Sequence, residues 1–282
     1  MHEREEHARA RHGRARAPRV AERRQEIAAE RDLLDEHQNV QEALVSTLSA
    51  GLVGPSDGVG AADATLLART CRADGLLLKP DKPATPIDAM FLPHTRPYTV
   101  STYSKRDGVG TWTYLAAYAL WRGDDVWRLL DGVFAAIEYD EPLDDMFVLP
   151  ETITNWSVDL TADLGIGAPV VAYDWRSGRA QLASRTVDLA PLGKPFDYDF
   201  VVLAPVLENG LALIGEPAKF VTLADKRFRD VRTTTDSIEV TLDGAPGEPV
   251  TLLAYDTRSE RLLPEAHATL GANGTAEVTL AR

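Results

Sequence analysis

From residue 98 onward the chain offers little but short segments of alternating apolar and polar residues. Turn pairs separate them: Asp107-Gly108, Arg122-Gly123, Ser177-Gly178, Asn209-Gly210, Asp243-Gly244 and Asn273-Gly274. Period-two alternation puts successive side chains on opposite faces of a sheet, and glycine supplies the backbone conformations that tight connections need. The strand candidates are 98–104, 111–120, 126–130, 133–139, 145–149, 156–160, 169–175, 180–189, 199–207, 211–214, 220–223, 230–234, 237–242, 250–256 and 275–280. Strands this short and this frequent predict a mainly β fold, with an antiparallel β-sandwich domain over residues 93–282.

Residues 40–92 have a different rhythm. Val40, Leu44 and Leu48 fall on one helical stripe, and Gly51 stands where a helix can be closed. Leu52-Val53 reads as a very short buried strand, residues 54–60 as a Gly-rich turn, and Ala62 to Cys71 as a second helix with Leu66, Leu67 and Cys71 inward. Pro80, Pro83, Pro86 and Pro93 exclude helix from the connection that follows. This is the order of one β/α unit. A lone unit cannot cover its own parallel strand, so the segment reads as a short α/β remnant, the last unit of a TIM-type barrel, with a β domain behind it.

Residues 1–39 form a polar arm rich in Arg and Ala. Its few large apolar side chains cannot offset an ordering cost of roughly 1–2 kcal/mol per residue, so its first part is expected to be disordered, with a polar helix from Arg19. His2, His7 and His12 are five apart, a spacing that does not stack side chains on one helical face, and no metal role is assigned to them.

The net charge is −13. Phosphate binding needs a cationic face, so nucleic acid is excluded as a partner. The Asp-rich, Lys-poor composition is halophile-like and speaks to solubility rather than fold. No apolar run approaches eighteen residues, which excludes a membrane-spanning helix. The single cysteine, Cys71, excludes an intramolecular disulfide and a cysteine-built zinc site, and a cytoplasmic location is expected. The turn at 54–60 lacks the Lys-Ser/Thr of a P-loop and the glycine spacing of a dinucleotide fingerprint, so no cofactor is indicated.

Three stretches taken in order resemble a known family. Ser49-Ala50-Gly51-Leu52-Val53-Gly54-Pro55-Ser56-Asp57-Gly58-Val59-Gly60 is similar to an SGGP-x-Y-V-S-D-x-P-G segment. Arg72-Ala73-Asp74-Gly75-Leu76-Leu77-Leu78, followed by Pro83-Ala84-Thr85-Pro86-Ile87-Asp88-Ala89-Met90-Phe91, is similar to L-P-D-G-x-(I/V)-L-R and P-x-R-P-T-x-D-x-x-F. Phe200-Val201-Val202-Leu203-Ala204-Pro205-Val206 with Asn209-Gly210-Leu211-Ala212-Leu213-Ile214-Gly215 is similar to F-T-V-x-P-V … G-x-A-x-I-G-L. These belong to the raffinose synthase and seed imbibition protein group, the α-galactosidase-like proteins of glycoside hydrolase family 36. The resemblance spans about residues 42 to 242, with departures at the arginine positions.

The resemblance implies a barrel flanked by β-sandwich domains and a retaining mechanism with two carboxylates about 5 Å apart. In the family both lie on barrel strands upstream of the last one. A barrel needs about 200 residues or more, and nothing before Val40 resembles those strands. No catalytic residue is therefore carried over. The expected function is that of a family 36-like fragment without catalytic activity of its own; a non-catalytic carbohydrate-binding or interaction module is the alternative. Carbohydrate is the expected partner, and association through a surface left uncovered by the barrel is a further expectation.

By resemblance Asp57 takes the rim of the last barrel strand, with Ser56 beside it, as substrate-binding residues. The same Asp57 also reads as the residue that closes a Pro-Ser-Asp-Gly turn or caps the next helix. Of Trp112, Trp121, Trp127, Trp156 and Trp175, Trp156 in Thr154-Asn155-Trp156 is the one expected to be exposed and to stack on a sugar ring. Asp144-Asp145 point to opposite faces of a strand and do not make one acid/base site.

Overall fold

Glycine, proline and side-chain alternation divide the chain into fifteen strands among the residues that the computed structural model describes: 39–54, 62–91, 97–118, 156–192 and 197–282. Residues 40–282 form one unit. Its helices are α1, present here over residues 40–48, and the single-turn α2, Ala64–Ala68. The strands are β1 Thr85–Pro86, β2 Tyr98–Arg106, β3 Gly110–Tyr118, β4 Trp156–Asp159, β5 Val170–Asp174, β6 Arg179–Ala183, β7 Thr186–Leu189, β8 Tyr198–Pro205, β9 Leu211–Gly215, β10 Phe228–Thr233, β11 Ser237–Asp243, β12 Pro249–Asp256, β13 Arg261–Leu262, β14 Ala266–Thr269 and β15 Thr275–Ala281.

The largest sheet runs β1-β2-β3-β8-β5-β6. A second joins β10, β11 and β15, a third joins β9, β13 and β14 to β12, and β4 pairs with β7. These ladders are all antiparallel. The chain is thus mainly β with antiparallel sheets, as the alternation predicts.

The six-stranded sheet is covered on both faces, and strand parity decides what goes where. Trp112, Tyr114, Ala116 and Tyr118 of β3, with Phe200, Val202 and Ala204 of β8, enter a large core shared with Leu211, Leu213, Leu252, Ala254 and Val240. Leu115 and Ala117 of β3, with Val201 and Leu203 of β8, enter a smaller core closed by Trp156, Val158, Val187 and Leu189. The continuous burial of β8 therefore has a cause: both faces meet an apolar layer. Leu44 and Leu48 of α1 are fully buried in the larger core, so the stripe read from the sequence packs as read.

Three expectations for residues 40–92 change. Leu52-Val53 form no strand, and Leu52 is 90% exposed. A two-residue strand holds only when paired, and no parallel partner exists among the described residues. Ala50, at φ 55°, is the left-handed residue after α1, rather than Gly51. The second helix is one turn, opened by Asp63, whose Oδ1 accepts from the N–H groups of Thr65 (2.8 Å) and Leu66 (3.1 Å); none of its residues is buried.

In the β region the candidate 180–189 splits into β6 and β7, which join different sheets. Residues 220–223 are buried but turn-like. Their backbone groups find non-ladder partners, the Leu223 N–H donating to the Tyr114 hydroxyl at 3.1 Å. The short strands β13 and β14 had no clear alternation to announce them. The candidates at 126–130, 133–139 and 145–149 lie outside the described residues, as does the arm at 1–38. No described helix is long and apolar enough to cross a membrane.

Gly215 ends β9 with φ +96°, and a Cβ there would stand 2.1 Å from the Thr222 carbonyl oxygen. That oxygen accepts from the Glu216 N–H at 2.8 Å, so it cannot retreat without losing the turn. Gly215→Ala is expected to destabilise the protein by about 2–3 kcal/mol or more, read as a lower urea midpoint.

Asp256, at the end of β12, supplies a pH-dependent test. Desolvation opposes its ionised form. The Ser259 hydroxyl, the Arg258 N–H and the Arg282 guanidinium outweigh that effect and hold its pKa down to about 2. A depressed carboxylate contributes stability above its unfolded value of 3.8, and that contribution is lost as pH falls through the folded value. Asp256→Asn is expected to lower the melting temperature at neutral pH and to flatten its acid dependence between about pH 4 and pH 2.

Candidate functional site

The segment that leaves α2 is held against the β sheets by backbone contacts at almost every residue. Buried Lys219 Nζ donates to the carbonyls of Ala68 (2.6 Å) and Cys71 (2.7 Å). The Phe220 N–H donates to the Arg69 carbonyl at 3.1 Å. The Ala73 N–H donates to Glu248 Oε1 at 3.0 Å, and Arg72 Nη1 donates to the Lys226 carbonyl at 2.8 Å.

Lys219 and Glu248 belong to one buried charge chain. Lys219 Nζ lies 3.8 Å from Glu216 Oε1, and Glu216 Oε2 lies 2.9 Å from Arg227 Nε. Arg227 is completely buried. Its two Nη groups bond both carboxylate oxygens of Glu248, and Nη1 also donates to the Asp243 carbonyl at 3.0 Å. Burial pushes the Glu216 carboxyl up, against the pull of Arg227 and Lys219. Burial acts the same way on Glu248, but the Arg227 bond and the N–H groups of Ala245 and Ala73 outweigh it and leave that carboxyl below its usual range. Two cations and two carboxylates thus close a neutral chain whose two ends grip residues 68–73.

That grip places Arg69 at the wall of a cleft of about 590 Å³, lined by Thr65, Ala68, Arg69, Trp175, Arg176, Tyr198, Pro217, Ala218 and Lys219. Trp175 follows β5 and is half-buried. Its indole sits 5.1 Å from the Phe220 ring and 6.0 Å from Phe200, and its Nε1 donates to the Lys219 carbonyl at 3.2 Å. The Arg69 guanidinium lies 4.9 Å over the Trp175 ring, and that of Arg176 lies 5.0 Å over Tyr198. Arg176 Nη1 also donates to Asp197 Oδ1 (3.2 Å) and to the Tyr198 carbonyl (2.6 Å). Two aromatic rings, each with a guanidinium on its face, thus border one concavity.

A second concavity of about 610 Å³ includes Asp174, Asp188, Asp199, Tyr255 and Glu260 in its lining. Burial, with the Asp174 charge adding to it, pushes the Asp199 carboxyl up despite bonds from the Ala190 (2.6 Å) and Phe200 (2.9 Å) N–H groups. Asp174 accepts from the N–H groups of Arg176 and Ser177 and from the Ser177 hydroxyl. Both carboxylates hold turns in place.

Trp156 corrects the sequence reading. It is 4% exposed, packed into the smaller core from the first inward position of β4, and so cannot present a stacking face to solvent. Among the described residues the partly exposed tryptophan is Trp175, at the step from strand to turn, where alternation stops. Asp57 and Ser56 lie outside the described residues, as do Trp121 and Trp127. Arg69 could not have been found from its neighbours in sequence, because Trp175 lies more than a hundred positions away. Among the described residues, no three His, Cys, Asp or Glu side chains converge as metal ligands would. Compared with models of known protein families and with the curated proteins, the chain matches none.

Removing the centre of the charge chain tests this account of how the cleft wall is held. Arg227→Met leaves Glu216 and Glu248 buried without their shared cation and is expected to cost about 3–5 kcal/mol in urea unfolding. Adding Glu216→Gln to that variant should restore part of the loss, because one uncompensated charge is then gone.

Proposed function

We propose that this protein binds carbohydrate without hydrolysing it, and that the cleft beside Trp175 is the binding site. The carrying observation is the pairing of partly exposed aromatic surface with fixed polar side chains in one concavity of small-ligand size. Sugar rings present apolar C–H faces and a rim of hydroxyls. Half-buried Trp175, with Pro217 and Ala218, offers apolar surface to the first, and guanidinium donors take the second. None of the described residues lining this cleft is a carboxylate, and retaining hydrolysis needs two of them facing each other across the bond. Binding is therefore the activity that this geometry supports.

The ordered motifs that resemble family 36 give the reading its substrate class, an α-galactoside. In it the antiparallel sheets are the β-sandwich that accompanies the family's barrel. The assignment of residues 40–92 to the end of a barrel rests on those motifs alone, since the strand expected at 52–53 does not form. Asp57 and Ser56 keep their place in the reading as a hydroxyl-binding pair on that segment.

The test is calorimetric titration of the full chain with neutral galacto-oligosaccharides, beside an assay for nitrophenol release from a nitrophenyl α-galactoside. Saturable binding is expected, with no release above the blank. Ala218→Trp fills the cleft from an exposed position and should abolish binding without lowering the melting temperature. Binding untouched by Ala218→Trp, or absent for every oligosaccharide, would sink the proposal. Turnover lost in Asp57→Asn would show that the protein is an enzyme.

A further inference from the structure

We infer that the Trp175 cleft selects acidic sugars, with Arg69 receiving the carboxylate of a uronic acid; this rests on the carbohydrate reading above. The argument begins with how a guanidinium stacks. Lying over an indole uses its face and leaves its donors in the plane, directed away from the ring. The Arg69 Cζ lies 4.9 Å from the centre of the Trp175 ring, over its face. The Arg69 backbone is anchored by the Phe220 N–H, and Lys219 binds the carbonyls of Ala68 and Cys71 on either side. Among the described residues no carboxylate or carbonyl accepts from its side chain. Arg69 is thus a positioned two-donor fork with its acceptor still to come, and a carboxylate is the group whose geometry matches it.

The surroundings favour the same ligand. Arg69, Arg176 and Lys219 line the cleft and no acidic residue does among the described residues, on a chain whose net charge is −13. Arg176 and Lys219 have carboxylate partners just outside the lining, Asp197 and Glu216. The positive charge left to meet a ligand is therefore concentrated on Arg69. The apolar part of the wall, Trp175, Ala68, Pro217 and Ala218, leaves room for a ring beside it. At about 590 Å³ the cleft is within the range of roughly 300–1,000 Å³ usual for small-ligand sites. An anion without a ring would leave this wall unused, and a neutral sugar would offer the fork only uncharged hydroxyl acceptors in place of a matching carboxylate.

The experiment titrates the full chain with trigalacturonate and with its methyl ester, which keeps the sugar and removes the charge. The acid is expected to bind about 10- to 100-fold tighter than the ester, the effect of a charge-assisted two-point contact. Arg69→Ala should erase that difference, weakening the acid far more than the ester, with the melting temperature unchanged. Arg69→Lys should restore only part of it, because an ammonium keeps the charge but not the fork. Equal binding of acid and ester, or equal weakening of both by Arg69→Ala, would overturn the inference and leave the carbohydrate reading intact. Absence of binding by both would overturn that reading too. Tighter binding of a tri-aspartate peptide than of trigalacturonate would overturn the sugar assignment.

Discussion

The buried chain Lys219–Glu216–Arg227–Glu248 is the constraint on which the rest of the structure depends. Burying four charged groups is costly, and the cost is offset only when each finds its partners. Here each lies within ion-pair distance of an opposite charge, and the outermost hydrogen-bond partners are backbone groups of residues 68–73. The network is therefore also the fastener between the helical segment and the β sheets. An apolar substitute of equal volume could fill the space, but it could not present a lysine to two carbonyls and a carboxylate to an N–H group a few residues on.

The six-stranded sheet sets the other condition. Because β3 and β8 carry apolar side chains on both faces, the sheet needs two covering layers. The larger comes from β9 to β15 and from α1, the smaller from the β4–β7 pair and the turn around Ile87 and Ala89. Where β5 passes into the Arg176-Ser177-Gly178 turn, that cover stops, and Trp175 packs against Phe200 and Phe220, carries the Arg69 guanidinium over its ring and stays half-buried. The cleft is the place where the fastened segment and the end of a covered strand fail to meet completely.

Much of the β region was legible because its signals are local. Alternation in β2, β11 and β15, and the turn pairs between strands, state which residues face inward before any partner is known. Reading failed where a segment's state depended on a distant partner. Leu52-Val53 carry strand-forming residues but no neighbouring strand, and they run out to solvent. Residues 220–223 carry a strand-like composition, yet their backbone is claimed by the Tyr114 hydroxyl and the Arg69 carbonyl. Trp156 follows a polar Thr-Asn pair that suggests a loop, and it is the β7 ladder that turns it inward.

By itself the sequence determined a mainly β chain with antiparallel ladders, the inward stripe of α1, and an excess of acidic side chains. These follow from periodicity, turn chemistry and net charge, none of which needs a partner at long range. Only the tertiary structure decided which of the described tryptophans meets solvent, that Arg69 lies on Trp175, and that four buried charges neutralise one another. Such pairings join residues separated by up to about a hundred positions or more along the chain. Their energy comes from desolvation and contact geometry, quantities that exist only once the sheets have closed around them.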